Sequence, residues 1–215
     1  MLSTGAPDPS AWLRWVQQLQ SLAQTGLAFT ADPYDRERYQ QLLQLAATIA
    51  SRHTDAPFER IENLFKATTG YATPRLEVRG AVFDHQKRLL LVRETADQHR
   101  WTLPGGWLDV GDSPSQAIQR EIREESGYES RIVKLAAVWD RRRHPYPYGP
   151  FACVALFFLA ECIGGASHIS LETSATGWFS ADQLPADLSL GRVLPKQLHR
   201  MFEHHLYPDL PTDFD

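Results

Sequence analysis

The sequence predicts an α+β protein, with a small all-helical domain over residues 1–70 and a domain of strands packed around a central helix over residues 71–215. Three observations support this fold class. Apolar residues recur at helical spacing before residue 70. Apolar runs of β-prone residues take over from about residue 73. One short helix with clear capping residues lies among those runs.

Three helices are expected in the first 70 residues. The sequence Asp-Pro-Tyr-Asp at residues 32–35 forms a turn that starts the second helix, and the third helix ends near Gly70. The apolar positions of the three predicted helices are Trp12, Trp15, Val16, Leu19, Leu22 and Ala23; Tyr39, Leu42, Leu43, Ala46 and Ile49; and Phe58, Ile61, Leu64 and Phe65.

So small a helical domain buries little surface by itself. We therefore expect its exposed apolar stripe, including Trp12 and Trp15, to pack on the main domain or on a second subunit, and we expect a homodimer. The alternative is that this aromatic stripe forms a wall of the substrate site.

The second domain is expected to begin with two strands, at residues 76–83 and 89–93, joined by a hairpin connection at residues 84–87. Two further strands are expected at residues 132–139 and 151–159. Pro195 opens a final helix that turns Leu198, Met201 and Phe202 inward.

The composition is typical of a globular protein, with 43% hydrophobic and 22% charged residues in a chain of 215. A net charge of −4 gives no indication of a nucleic-acid or anionic membrane partner, and we expect neither. Cys153 and Cys162 both fall in the apolar run of residues 151–162, which is too short to cross a bilayer. Buried free thiols and an amino terminus without signal-peptide character predict a cytoplasmic protein.

The central helix carries the chemistry. Glu121, Glu124 and Glu125 are spaced i, i+3 and i+4, so they share one helix face, where like charges repel each other. Clustered carboxylates are ligands that Mg²⁺ or Mn²⁺ prefers. The helix boundaries are marked by an N-cap, a first-turn proline, a capping-box residue and a left-handed stop, at Ser113, Pro114, Gln116 and Gly127. Ala117, Ile118 and Ile122 form the opposite, apolar face.

This segment resembles the Nudix box, a glycine loop followed by an acidic helix. The box positions are filled by Gly106, Arg120, Glu121, Ile122, Glu124, Glu125, Gly127 and Tyr128, while Asp112 replaces the first glutamate. Residues 101–106 (Trp-Thr-Leu-Pro-Gly-Gly), residues 177–180 (Gly-Trp-Phe-Ser) and Leu184-Pro185 are also similar to the family. A solvated acidic helix face is the alternative, but it leaves the glycine loop unexplained. The helical extension resembles a subfamily of CDP-choline and ADP-ribose pyrophosphatase-like members.

The resemblance implies the Nudix α/β/α sandwich and a metal-dependent hydrolase that cleaves the pyrophosphate of a nucleoside diphosphate linked to another moiety. It implies that Glu121, Glu124 and Glu125, with the backbone of Gly105, hold Mg²⁺ or Mn²⁺. Arg120 would orient the glutamates, supported by Asp112, and Gly106 would allow close approach of the backbone. The general base is left open between Glu121 and a loop glutamate. Ala175 stands where relatives often carry a carboxylate, which disfavours a loop base, and Glu172 is the remaining loop glutamate that could reach the site.

A basic and aromatic loop at residues 139–148 joins two of the strands. Cations there can bind phosphate and a ring can stack on a base, although an exposed loop is the simpler alternative. The candidate substrate-binding residues are Arg141, Arg142, Arg143, His144 and Trp107. The competing functions are a nucleotide-sensing module that does not cleave its ligand and a hydrolase of RNA ends or phosphodiesters.

Overall fold

The computed structural model describes residues 11–147, 149 and 151–215. The chain divides into two compact units, one spanning Met1–Pro74 and Tyr148–Ala152 and the other Arg75–Pro147 and Cys153–Asp215. No helix among the described residues is both long enough and apolar enough to cross a membrane.

The first unit contains the helices α1 (Ala11–Phe29), α2 (Pro33–His53) and α3 (Phe58–Lys66). Asp32 caps α2 because its carboxylate accepts hydrogen bonds from the amides of Tyr34 and Asp35 at 2.7 and 3.0 Å. The core of the unit is formed by Trp12, Val16, Ala23, Leu43, Ala46, Ala47, Ala50, Ile61 and Phe65.

The expected exposed stripe of α1 was partly wrong. Trp12 is buried within the unit and stacks on His53 with 4.8 Å between ring centroids. Trp15 and Leu22 are exposed and, with Phe29, form a stripe with a spacing of seven residues. Leu64 of α3, expected to point inward, is 40% exposed. Helical spacing alone did not distinguish the apolar residues that are buried within this unit from those that stay exposed.

The second unit is a mixed seven-stranded sheet with two helices. The strands run in the spatial order β3-β2-β1-β5-β4-β7, and β6 pairs with β2. The elements in chain order are β1 (Arg75–Phe83), β2 (Leu89–Glu94), β3 (Arg100–Thr102), α4 (Pro114–Ser126), β4 (Tyr128–Asp140), β5 (Cys153–Gly165), β6 (Thr173–Phe179), α5 (Pro195–Leu206) and β7 (Asp213–Phe214). The four strands expected from the sequence are present, and β3, β6 and β7 were not expected.

Strand β1 lies inside the sheet, antiparallel to β2 and parallel to β5. Its residues alternate between the two faces of the sheet, as side chains in a strand must. Val78 and Val82 pack with the apolar face of α4, and Ala81 and Phe83 pack in the core that includes α5. A Cβ at Gly80 would lie 2.8 Å from Ile122 Cδ1, so glycine at this position lets α4 approach the sheet closely.

The predicted boundaries of α4 are confirmed. The Ser113 side chain accepts a hydrogen bond from the Gln116 amide, the Gln116 side-chain oxygen accepts one from the Ser113 amide, and Pro114 occupies the first turn. Gly127 ends the helix in the left-handed conformation, with φ at +77°. These caps fix where the carboxylates of α4 stand relative to the preceding loop.

Candidate active site

The three glutamates of α4 are placed in different environments. Glu121 and Glu125, one turn apart, are buried at 9% and 4% exposure. The side chain of Glu124 is 53% exposed and turned toward Arg120. The structure therefore brings two carboxylates together under the glycine loop and leaves the third at the rim.

Arg120 is the counter-charge of this acidic cluster. Its guanidinium lies 2.9 Å from a Glu121 oxygen and 3.1 Å from a Glu124 oxygen. It also reaches Asp112 at 3.2 Å and Asp109 at 3.3 Å. Burial disfavours the charge of Arg120, but Glu124, Glu121 and Asp112 outweigh it and raise the pKa of the guanidinium above its ordinary value.

Glu125 is the more deeply buried carboxylate. Its Oε2 accepts a hydrogen bond from the Gly105 amide at 2.9 Å. Burial raises the pKa of Glu125 to about 8, opposed by that hydrogen bond and the charge of Arg79. Burial likewise raises the pKa of Glu121, opposed by the charge of Arg120.

The glycine loop fits against both β1 and the carboxylates. Gly105 has φ at +143°, and a Cβ there would lie 2.0 Å from the Val78 carbonyl oxygen. A Cβ at Gly106 would lie 3.1 Å from a Glu121 oxygen. The loop is tied to β1 by the Val78 amide, which donates to the Gly106 carbonyl at 2.9 Å. Only glycine lets this backbone pass so close to strand and helix.

The donor set suits a hard divalent cation. Two buried carboxylates, whose pKa values are raised chiefly by burial, would gain from a positive charge between them. Within the part of the chain that the structure describes, no three acidic, histidine or cysteine side chains are grouped closely enough to hold a metal alone. Mg²⁺ commonly uses one or two protein carboxylates and takes its other ligands from water and phosphate, so the residues fit.

The segment expected to be a loop before Trp178-Phe179 forms strand β6, and its first residue lies beside the same carboxylates. Thr173 Oγ1 donates to the Glu125 carbonyl at 2.6 Å. The charge of the neighbouring Glu172 contributes to the raised pKa of Glu121. Glu121 and Glu172, the two candidates for the general base, are therefore close enough to interact electrostatically.

A cleft of about 520 Å³ opens beside the glycine loop. Its floor is a buried network in which Arg79 donates to the Gly105 carbonyl at 2.8 Å and pairs with Glu77 at 3.3 Å. Arg141 also pairs with Glu77 at 3.3 Å and donates to the Gly191 carbonyl. The lining residues are Glu77, Arg79, Asp97, Arg100, Gly106, Trp107, Arg141, Pro147, Ser189, Leu190, Gly191 and Arg192.

Only two of the five predicted substrate-binding residues, Arg141 and Trp107, line this cleft. Arg142 bends back onto Asp140, with 2.6 Å between Nη2 and Oδ2, and Arg143 is exposed. His144 hydrogen-bonds to Asp215 at 3.1 Å and contacts the ring of Trp139. Tyr148, at the end of the predicted loop, lies outside the described residues.

Several cleft residues were missed by sequence reasoning. Glu77 and Arg79 were missed because charged residues at alternate positions of a strand usually mark its solvent face. Asp97 and residues 189–192 lie in connections without a recognisable motif. The available signal was the pair Glu77 and Arg79 in a strand that is otherwise almost entirely apolar from Val78 to Phe83.

Comparison with known proteins agrees with this architecture. Residues 10–65 match the family model of a UDP-X-like, N-terminal oligomerisation domain, and residues 73–199 match the NUDIX domain. A Bacillus subtilis protein named "Putative ADP-ribose pyrophosphatase YjhB" is 39% identical over 204 residues, which are 95% of this chain and 97% of the relative.

Two crystal structures are similar to the chain. A UDP-X diphosphatase is 30% identical with a TM-score of 0.60, covering 96% of this chain and 98% of that one. An ADP-ribose pyrophosphatase from Streptococcus suis is 34% identical with a TM-score of 0.60, covering 66% of this chain and all of that one.

Proposed function

The chain belongs to the Nudix hydrolase family, and from this premise we propose that it uses Mg²⁺ or Mn²⁺ to hydrolyse a nucleoside diphosphate linked to another moiety. The products are a nucleoside monophosphate and the phosphorylated moiety. The substrates are of the CDP-choline or ADP-ribose class. The observation that carries the proposal is the buried pair Glu121 and Glu125 beneath the glycine loop.

Each residue of the motif has a role in this proposal. Glu121 and Glu125 would hold a divalent ion, and Glu124 and the Gly105 carbonyl would join them on leaving their present partners, Arg120 and Arg79. The ion would supply positive charge to neutralise the pyrophosphate and to make a bound water a better nucleophile. Arg120 orients Glu121 and Glu124, and Asp112 in turn holds Arg120. Gly106 keeps the backbone free of a side chain beside Glu121.

The reaction requires one proton transfer and one bond exchange. A carboxylate, Glu121 or Glu172, accepts a proton from the attacking water. The water oxygen bonds to one phosphorus, and the bond from that phosphorus to the bridging oxygen breaks. The bridging oxygen leaves on the other phosphate.

The test combines a substrate screen with a matched pair of variants. We expect hydrolysis of CDP-choline, ADP-ribose or a related compound that requires Mg²⁺ or Mn²⁺ and stops on addition of a chelator, with products identified by mass spectrometry. Glu125→Gln should lose most activity while keeping its circular dichroism spectrum, because the amide retains the shape but not the charge.

The control is Glu129→Gln, which changes an exposed glutamate just beyond α4. Full activity of Glu125→Gln would contradict the metal role. Tight nucleotide binding without turnover by the wild-type protein would instead favour a sensing module.

The same proposal extends to the assembly and location of the protein. The matched oligomerisation domain and the exposed stripe Trp15, Leu22 and Phe29 support a homodimer formed through the helical domain, residues 1–70, with residues 71–215 as the catalytic domain. Trp15→Glu with Leu22→Glu should give a monomer in size-exclusion chromatography with light scattering, and an unchanged mass would contradict this interface. The unpaired thiols Cys153 and Cys162 support a reducing, cytoplasmic location.

A further inference from the structure

The outer wall of the cleft is built from two segments that are distant in sequence. One is the 3-10 turn Thr95–Asp97, and the other is the loop of residues 189–192. Ser189 joins them, because its hydroxyl donates to Asp97 at 2.6 Å and its amide donates to the Trp101 carbonyl at 2.8 Å. Ser189 is fully buried, so the wall is fixed in place before any substrate arrives.

Every arginine of the cleft already has a carboxylate partner. Arg79 and Arg141 share Glu77, and the remaining two pairs are Arg192 with Glu94 at 3.1 Å and Arg100 with Asp97 at 3.6 Å. The cleft therefore contains both donors and acceptors, and each of these carboxylates pairs with a guanidinium group through at least one oxygen.

Two buried atoms in the floor of the cleft have no hydrogen-bond partner among the residues that the structure describes, Glu77 Oε1 and Arg79 Nε. Glu77 is only 2% exposed, and its Oε1 accepts no hydrogen bond from any described residue. A buried acceptor without a donor costs free energy, which a ligand hydroxyl can recover. The ring of Trp107 is 51% exposed at the edge of the cleft, and the Arg75 guanidinium lies over it, 5.9 Å from the ring centroid.

We propose that the wall of Asp97, Ser189 and Arg192 is the specificity determinant of the enzyme, selecting a neutral, hydroxyl-rich moiety such as a sugar and rejecting a cationic one. This inference rests on the proposed function. Gly106 lines the cleft and also adjoins Glu121, so a pyrophosphate held at the carboxylates places one of its flanking groups in the cleft.

The chemistry of the wall separates the two kinds of moiety. A sugar hydroxyl donates and accepts at once, so it can bond to both members of an arginine and carboxylate pair. A quaternary ammonium group can neither donate nor accept a hydrogen bond, and it binds where acidic or aromatic side chains surround it. Here it would face four guanidinium groups. The Glu77 carboxylate is already shared by two of them, and the Trp107 ring already has the Arg75 guanidinium over it.

The experiment compares substrates that differ only in this moiety. The kcat/KM values of CDP-glucose and CDP-choline are measured with Mg²⁺ or Mn²⁺, and ADP-ribose and ADP-choline repeat the comparison on an adenine carrier. We expect the wild-type protein to favour the sugar of each accepted pair by about tenfold or more, the size of effect expected from losing a hydrogen bond to a charged group. Arg192→Gln should lower hydrolysis of the sugar substrate about tenfold and leave the choline substrate unchanged or improved.

Arg131→Gln is the matched control, because Arg131 also pairs with a glutamate but lies on the exposed surface of β4. Equal use of both moieties, a preference for choline, or an equal loss on both substrates in Arg192→Gln would overturn the inference while leaving the proposed function intact. Failure to hydrolyse any of the four compounds would overturn both.

Discussion

Glu125→Gln, which we expect to lose most activity, should make the metal-free protein more stable. Burial raises the pKa of Glu125 to about 8 in the folded state, from an ordinary 4.5. Below the pKa of the unfolded state, this carboxyl is protonated in both the folded and the unfolded protein, so its raised folded-state pKa does not affect stability there. Between the unfolded-state and folded-state pKa values, the carboxyl is ionised in the unfolded protein, and folding must either take up a proton or bury the charge. Stability therefore falls as pH rises across that interval.

The magnitude follows from the width of the interval. Between pH 4.5 and pH 7 the lost stability is about 3 kcal/mol, at roughly 1.4 kcal/mol for each pH unit. The glutamine amide carries no charge, and its oxygen can still accept the Gly105 hydrogen bond. For a chain of this size, about 3 kcal/mol corresponds to a rise in Tm of roughly 6–12 °C.

The assay is thermal unfolding in chelator at pH 7.5 and at pH 5, followed by circular dichroism. Glu125→Gln should melt higher than the wild-type protein at pH 7.5, and the difference should shrink at pH 5. Glu129→Gln should show no such pattern. A Tm for Glu125→Gln that is equal to or below wild type at pH 7.5 would refute the reasoning.

Three further outcomes are expected. Arg141→Ala should raise KM more than the double change Arg142→Ala with Arg143→Ala, because of these three arginines only Arg141 lines the cleft. An equal or larger rise in KM from the double change would contradict this placement. Asp112→Glu should keep near-normal turnover, since the longer carboxylate can still reach Arg120, and inactivity would show that the shorter side chain is required. The native Cys153 thiol should resist iodoacetamide at pH 8, detected by mass spectrometry, because burial raises its pKa to about 12; rapid labelling would contradict its burial.

The central helix and its neighbours could be predicted because local sequence decides them. Caps at Ser113 and Gly127 set the ends of α4 without reference to the rest of the chain. Strands β3, β6 and β7 were missed because they are short or polar, and pairing partners elsewhere in the chain stabilise them. The loop at residues 141–143 was expected to project its cations together, but the Asp140 side chain caps the turn and holds Arg142.

The candidate site divides in the same way. Spacing along one helix brings Glu121 close to Glu125. How far Glu121 is exposed depends instead on the glycine loop, where Gly106 lies against its carboxylate. The cleft depends on contacts between residues about ninety positions apart, such as Asp97 with Ser189. No periodicity within one segment carries information about such contacts.

Strand β1 has a consequence for how such enzymes diverge. Its two faces separate different tasks: Val78 and Val82 support the helix that carries the motif, while Glu77 and Arg79 form the floor of the cleft. Because the cleft lies on the face of β1 away from α4, substitutions in the outer wall, at residue 97 and residues 189–192, can accumulate without disturbing the packing of α4. A library that randomises residues 97, 100, 190 and 192 would be a direct route to new substrate preferences on an unchanged hydrolytic core.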